Sequence, residues 1–182
     1  MFNIALHWFI VAQIFGLLGL VVVFITFQTK NKVKLLILDA LANLLMAVAY
    51  FAMSSHILAI VNLIACFRDI AFAWLNKHRT HGKVHPAISI GLLALFWIAF
   101  TVSILLTWQS WLDLLILGLV LLYVFTLWNK GTHLVRILCL LLSIVFVVIN
   151  VSTFNIMGIV VESVYIISIT VFYVRRSSKS HQ

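Results

Sequence analysis

Seven long apolar runs, at about residues 3–27, 35–53, 56–76, 87–108, 111–128, 133–153 and 156–174, constrain what this chain can fold into. Each is about 18–25 residues long, enough to span a hydrocarbon layer of roughly 30 Å at about 1.5 Å per helical residue. Inside lipid every peptide N–H and C=O must be satisfied by the chain itself, which leaves helices or a closed barrel. A barrel strand alternates polar and apolar residues over short stretches. These runs do not alternate. The expected fold is therefore an all-α integral membrane protein with seven transmembrane helices. Charged residues make up only 9% of the 182 positions, against roughly 25% in soluble domains. The breaks between runs are too short to hold a soluble domain, so residues 1–182 read as a single transmembrane domain.

The charges in those breaks alternate. Lys30, Lys32 and Lys34 follow the first run, Lys77, Arg79 and Lys83 the third; Lys130 and Arg136 flank the fifth break, and Arg175, Arg176 and Lys179 close the chain. The second break (Ser54, Ser55, His56), the fourth (Gln109, Ser110) and the sixth (Phe154, Asn155) carry no Lys or Arg. The positive-inside rule then puts the odd breaks and the C-terminus in the cytoplasm and the N-terminus outside. Placed this way, the net charge of +8 describes cytoplasmic anchors beside anionic headgroups rather than a nucleic-acid surface. The lipid bilayer is the expected partner, with no nucleic acid. Trp8, Trp74, Trp108, Trp111 and Trp128 fall near the expected interfaces, where an aromatic belt sits. The opening residues MFNIALHWFI lack a basic segment and a small-residue cleavage site, so the first run is expected to stay as a span.

The layout repeats. Helices one to three and five to seven each have a basic break after their first member and a neutral break after their second. An offset of 100 residues pairs Thr26 with Thr126, Lys30 with Lys130, Val61 with Val161 and Asn62 with Glu162. It also pairs Asp39 with Cys139, Asn43 with Ser143 and Tyr50 with Asn150. This suggests a 3+1+3 parallel repeat, with residues 1–77 and 111–176 as three-helix bundles and 87–108 as a linking helix. Parallel repeats are a known transporter plan; two Val/Leu-rich segments also match by chance.

Residues 28–73, with Asn62 followed by Phe67, Arg68, Asp69 and Ile70, resemble the YgjV family of bacterial inner-membrane proteins. The segment at 158–163, which carries Glu162, resembles the glutamate-bearing last helix of that family. The resemblance implies a bacterial inner-membrane location and brings no established reaction with it. It carries over to Asn62, Arg68 and Glu162. In architecture the expected chain is similar to SWEET and PQ-loop transporters and to nicotinamide riboside carriers, although no PQ motif is present. In SWEET transporters an asparagine on the third helix of each half faces the substrate, and Asn62 and Glu162 hold the matching places.

Asp39, Arg68, Asp69 and Glu162 are ionisable residues within spans, with Asp113 at the outer end of helix five. A charge at mid-bilayer costs about 2.5–3.5 kcal/mol on insertion scales and is normally paired inside the bundle. Asp39 is expected to pair with Arg68, with Asp69 as the competing partner; an inner gate and a structural salt bridge are both open readings. On helix three, Asn62, Cys66 and Asp69 share a face while Arg68 points about 120° away. Helix seven presents Glu162, Tyr165, Ile166 and Tyr173, helix two Asp39, Asn43, Met46 and Tyr50, and helix six Cys139, Ser143 and Asn150. These stripes suggest a polar path with Asn62, Glu162, Asn150 and Tyr165 as substrate-path residues, or else interhelical hydrogen bonds alone.

The break at 78–86 holds His78, His81 and His85, but no Cys, Asp or Glu accompanies them, so no metal is expected. Cys66 and Cys139 read as buried thiols. No nucleophile–base pair, phosphate-binding loop or paired catalytic carboxylates occur, and neither enzymatic activity nor a cofactor is expected. The expected function is a small-molecule carrier taking a small polar substrate by alternating access between the two bundles. The alternative is a non-transporting membrane protein that binds a lipid or protein partner. The sequence leaves the oligomeric state open.

Overall fold

The structure, a computed structural model, describes residues 6–54, 56–79, 85–106, 111–129, 131–152 and 156–180, apart from the side chains at 57, 58, 112, 113, 152, 156, 157 and 177–180. Expectations for Ser55, the loop residues 80–84, Trp108, Gln109, Ser110, Lys130, Phe154 and Asn155, and for the side chains of Asp113 and Lys179, lie outside the described residues. Seven helices follow one another: α1 (Leu6–Gln28), α2 (Lys32–Ala52), α3 (His56–Arg79), α4 (Pro86–Leu106), α5 (Leu112–Trp128), α6 (His133–Ser152) and α7 (Ile156–Ser180). Among the described residues there is no strand. Six of the helices are long and apolar enough to cross a membrane; α5, at 17 residues, is the short one, at the lower limit of about 17 for a span.

Local chemistry sets several ends. Asn31 caps α2, its Oδ1 accepting from the N–H groups of Val33 at 2.9 Å and Lys34 at 3.2 Å, which satisfies two of the donors a helix start leaves free. Pro86 opens α4, where a missing N–H costs nothing and its fixed φ suits the first turn. After α2 the chain reverses through Ser54, whose φ of 59° is left-handed; the Ser54 N–H donates to Phe51 O at 3.0 Å.

Each helix packs on its neighbours in sequence, and α7 returns to α1, so the seven close into a ring; α3 also touches α5. Leu17, Val21, Ile37, Ile70, Ile98, Val148 and Val174 point outward and are exposed, the lipid-facing side of such a ring. Lipid tails are as apolar as the side chains they compete with, so close fit and hydrogen bonds hold the ring, with small residues letting backbones approach. On α2, Ala40, Ala42, Ala47 and Ala49 are all buried. Gly19 of α1 lies against Met46 of α2, and a Cβ there would sit 3.2 Å from the Met46 methyl.

Packing is tightest at one end. The largest fully buried side chains, among them Phe27, Leu35, Leu36, Phe72, Leu75, Leu127 and Val135, all lie near the ends that carry the basic breaks. They form two clusters: one joins α2 to α6 through Leu36, Phe72, Phe96, Leu127 and Val135, the other joins α1 to α7 through Val23, Phe27 and Ile169.

A charged cavity as candidate functional site

Inside the ring lies a cavity of about 490 Å³ lined by residues of α2, α3, α4, α5, α6 and α7, a size that fits a small molecule. At its floor stands Arg68, 5% exposed. Its Nη2 lies 2.7 Å from Asp69 Oδ1 and its Nε donates to the same oxygen at 2.8 Å. Asp39 is the more distant carboxylate, with Oδ2 3.9 Å from Nη2. The guanidinium also lies over the rings of Phe100, at 5.5 Å, and Tyr123, at 5.4 Å, a placement in which ring electrons face the positive charge.

Asp69 is fully buried and its other oxygen accepts from Asn43 Nδ2 at 2.9 Å. The Tyr123 hydroxyl donates to Asp39 Oδ2 at 3.4 Å. The result is a network that ties α2, α3 and α5 together around one cation. Removing a charge from water is tolerable only when its hydrogen-bonding capacity is filled, and here both carboxylates and the cation have partners.

The structure brings Asp39, Arg68, Asn62, Glu162 and Tyr165 to the one cavity. Two residues sit elsewhere. Asp69 lies behind the wall, between α3 and α2, while Arg68 faces inward, the reverse of the helical-wheel expectation. The long Arg side chain carries its charge around the helix from where its Cβ points, a reach that a wheel drawn on Cα positions ignores. Asn150 is not part of the lining; its carboxamide abuts Gly158, where any Cβ would overlap it. A glycine at that point lets α6 and α7 approach.

Glu162 faces the cavity from α7 and accepts from Ser143 of α6. Tyr165, one turn further along, packs edge-on against Phe27 at 5.5 Å. Tyr123, Phe100, Ser103 and Phe146 also line the space and were not foreseen. Tyr123 and Ser103 each offered a signal, a hydroxyl within a mostly apolar run. Phe100 and Ser103 come from α4, which the repeat layout treats as a mere linker. Among the described residues no group of His, Cys, Asp and Glu is placed to hold a metal ion.

The basic residues at the breaks divide into two kinds. Arg175 and Arg176 are exposed, as headgroup anchors require. Arg136, expected among them, is 2% exposed. Its Nε donates to Phe27 O at 3.2 Å and its Nη2 to Thr29 O at 2.6 Å, with the guanidinium 3.7 Å from the centre of the Phe172 ring. Lys32 is half-buried and donates to Thr126 O at 3.1 Å and Gly131 O at 3.2 Å. Carbonyls left open at helix C-termini attract cations strongly enough to draw these two from the interface.

A closed ring of apolar helices around a charged chamber defines a multi-pass α-helical membrane protein. A family model described as a bacterial inner membrane protein, Imp-YgjV, matches residues 10–180. The chain belongs to that family and is a multi-pass inner-membrane protein. No curated protein and no solved structure matches it, and the likeness to SWEET, PQ-loop and nicotinamide riboside carriers is not confirmed.

Proposed function

We propose that this protein is a small-molecule carrier that moves a small polar solute by alternating access between two three-helix bundles. The observation that supports it most is Glu162, an acidic side chain facing a molecule-sized cavity within the span of a lipid-embedded ring. Ionisable residues at that depth are expensive, and function is the default reason to keep them. Asn62 faces the same cavity from α3.

The repeat layout supports the same reading. Helices α1 and α5 end at Gln28 and Trp128, and α2 and α6 at Ala52 and Ser152. The cavity is lined by Asp39 and Cys139, Asn43 and Ser143, and Met46 and Phe146, each pair 100 positions apart. Exchanging α1, α2 and α3 with α5, α6 and α7 maps the α1–α7 contact onto the α5–α3 contact. A site shared by repeat-related helices is where carriers of this plan bind their solute.

Charge favours a cationic solute. Asp39 and Glu162 line the cavity, and among the described residues Arg68 is the lone cation there, already held by Asp69. Tyr50, Tyr165 and Phe146 supply aromatic walls, which suit an organic ammonium group. The orientation proposed is the one the basic breaks give, with the C-terminus cytoplasmic and Asn62 and Glu162 accessible from outside.

The test is uptake by proteoliposomes of a panel of small organic cations and neutral analogues. A cation-selective flux abolished by Glu162→Gln is expected. In parallel, cysteines placed at 62 and 162, in a background without Cys66 and Cys139, should react with a polar thiol reagent added outside. No flux for any solute, together with unreactive cysteines at both positions, overturns the carrier reading.

A further inference from the structure

We infer that Lys32 and Arg136 form a reciprocal latch that closes the basic end of the cavity, each cation holding the C-terminus of the other bundle's first helix. This rests on the carrier reading and deepens it by naming the gate. Lys32 opens α2 and reaches the end of α5, bonding Thr126 O at 3.1 Å and Gly131 O at 3.2 Å. Arg136 lies in the first turn of α6 and reaches the end of α1, bonding Phe27 O at 3.2 Å and Thr29 O at 2.6 Å. The two contacts are equivalent under exchange of α1 and α2 with α5 and α6, though the cations themselves are not 100 positions apart. Function, not sequence identity, carries the correspondence.

The placement is costly unless it does something. A cation in the first turn of a helix opposes the dipole of its own helix, and neither α2 nor α6 has an acidic residue in that turn. Both cations instead turn to the carbonyl ends of helices across the ring, where the dipole favours positive charge. Beneath the latch lie Leu35, Leu36, Leu127 and Val135, all 0% exposed, which seal the space between the latch and Asp39. Opening that end must part α2 from α5 and α6 from α1, and the cation–carbonyl bonds break there together with the Tyr123–Asp39 hydrogen bond deeper in the cavity. Such bonds are directional and can be remade with water, so the bundles have two discrete arrangements rather than a continuum.

Thiol accessibility reads the gate without reading transport. Leu36→Cys, in a background without Cys66 and Cys139, places a thiol in the seal. In inverted membrane vesicles, which present the basic end to the medium, a polar maleimide should label it slowly. Adding Lys32→Gln should raise the labelling rate by about tenfold, since a hydrogen bond to a charged group is lost from one state only. Adding Arg136→Gln should raise it further, and Arg136→Lys should restore part of the slow rate. Lys32 is only half-buried, so its variant keeps the fold; an unchanged labelling rate in that variant overturns the latch. A fast-labelling variant of a protein that moves no solute would leave the latch standing and remove the carrier reading instead.

Discussion

Arg68 is held on four sides: Asp69 at 2.7 Å, Asp39 at 3.9 Å, and the rings of Phe100 and Tyr123. Removing it strands two carboxylates where no other cation lines the cavity among the described residues, so Arg68→Ala should lower stability by about 3–5 kcal/mol in reversible detergent unfolding. The two carboxylates should not behave alike. Asp69 is 0% exposed and fully engaged by Arg68 and Asn43, whereas Asp39 lines the cavity. Asp69→Asn should therefore cost more stability than Asp39→Asn, and Asp39→Asn should be the one that alters solute flux. Equal thermal losses for the two variants would contradict this division. The four ionisable residues within spans were legible in the sequence because charge in an apolar run has no other reading. Which carboxylate lies nearer Arg68 was not legible, since it depends on a side chain's reach rather than on its position along the helix.

Among the helices, the α1–α2 contact shows how little room the ring leaves. Gly19 faces Met46, while Gly16, on the same helix, has nothing within 4 Å of where a Cβ would stand. Gly19→Val should destabilise by about 1–3 kcal/mol through overpacking, and Gly16→Val should be close to neutral; unfolding midpoints of the two variants decide it. A similar tie joins α4 to α5, where Trp128 Nε1 donates to Ser89 Oγ at 2.7 Å. Trp128→Phe should lose that bond together with part of the indole's packing, at about 1–2 kcal/mol, read from the unfolding midpoint. The helices themselves were readable from run length, because span length is set by bilayer thickness and not by neighbours. The faces were less so. Helices α1, α4 and α5 are apolar all round, since one side meets protein and the other lipid, and apolar periodicity then has nothing to report. That is why Phe100 and Tyr123 were missed. Arg136 was misread for the opposite reason: the basic break signalled an interface, and only the fold shows the α1 carbonyls waiting inside it.

For the molecule as a whole, the charge asymmetry of the breaks predicts a single orientation in the bilayer. A reporter fused after Lys179 should be active only for cytoplasmic exposure, and one inserted at Ser55 only for external exposure; a cytoplasmic signal from Ser55 would overturn the seven-span count. Charge asymmetry makes orientation readable from sequence, whereas ring closure is invisible there because no local pattern encodes which distant helices meet. That closure constrains how the protein comes into being. Ser168 Oγ donates to Phe24 O at 2.8 Å, and Gln28 Nε2 donates to Ser168 O, also at 2.8 Å. The partners of α1 along this seam thus lie on α7, about 140 residues further along the chain. Along this seam α1 must wait in the bilayer, with Phe24 O and the Gln28 carboxamide lacking their α7 partner, until Ser168 has been synthesised. Insertion and folding are consequently separate events here. A quality-control protease that samples nascent membrane chains would meet an open ring for most of the time of synthesis, and only the arrival of the seventh helix would end its access.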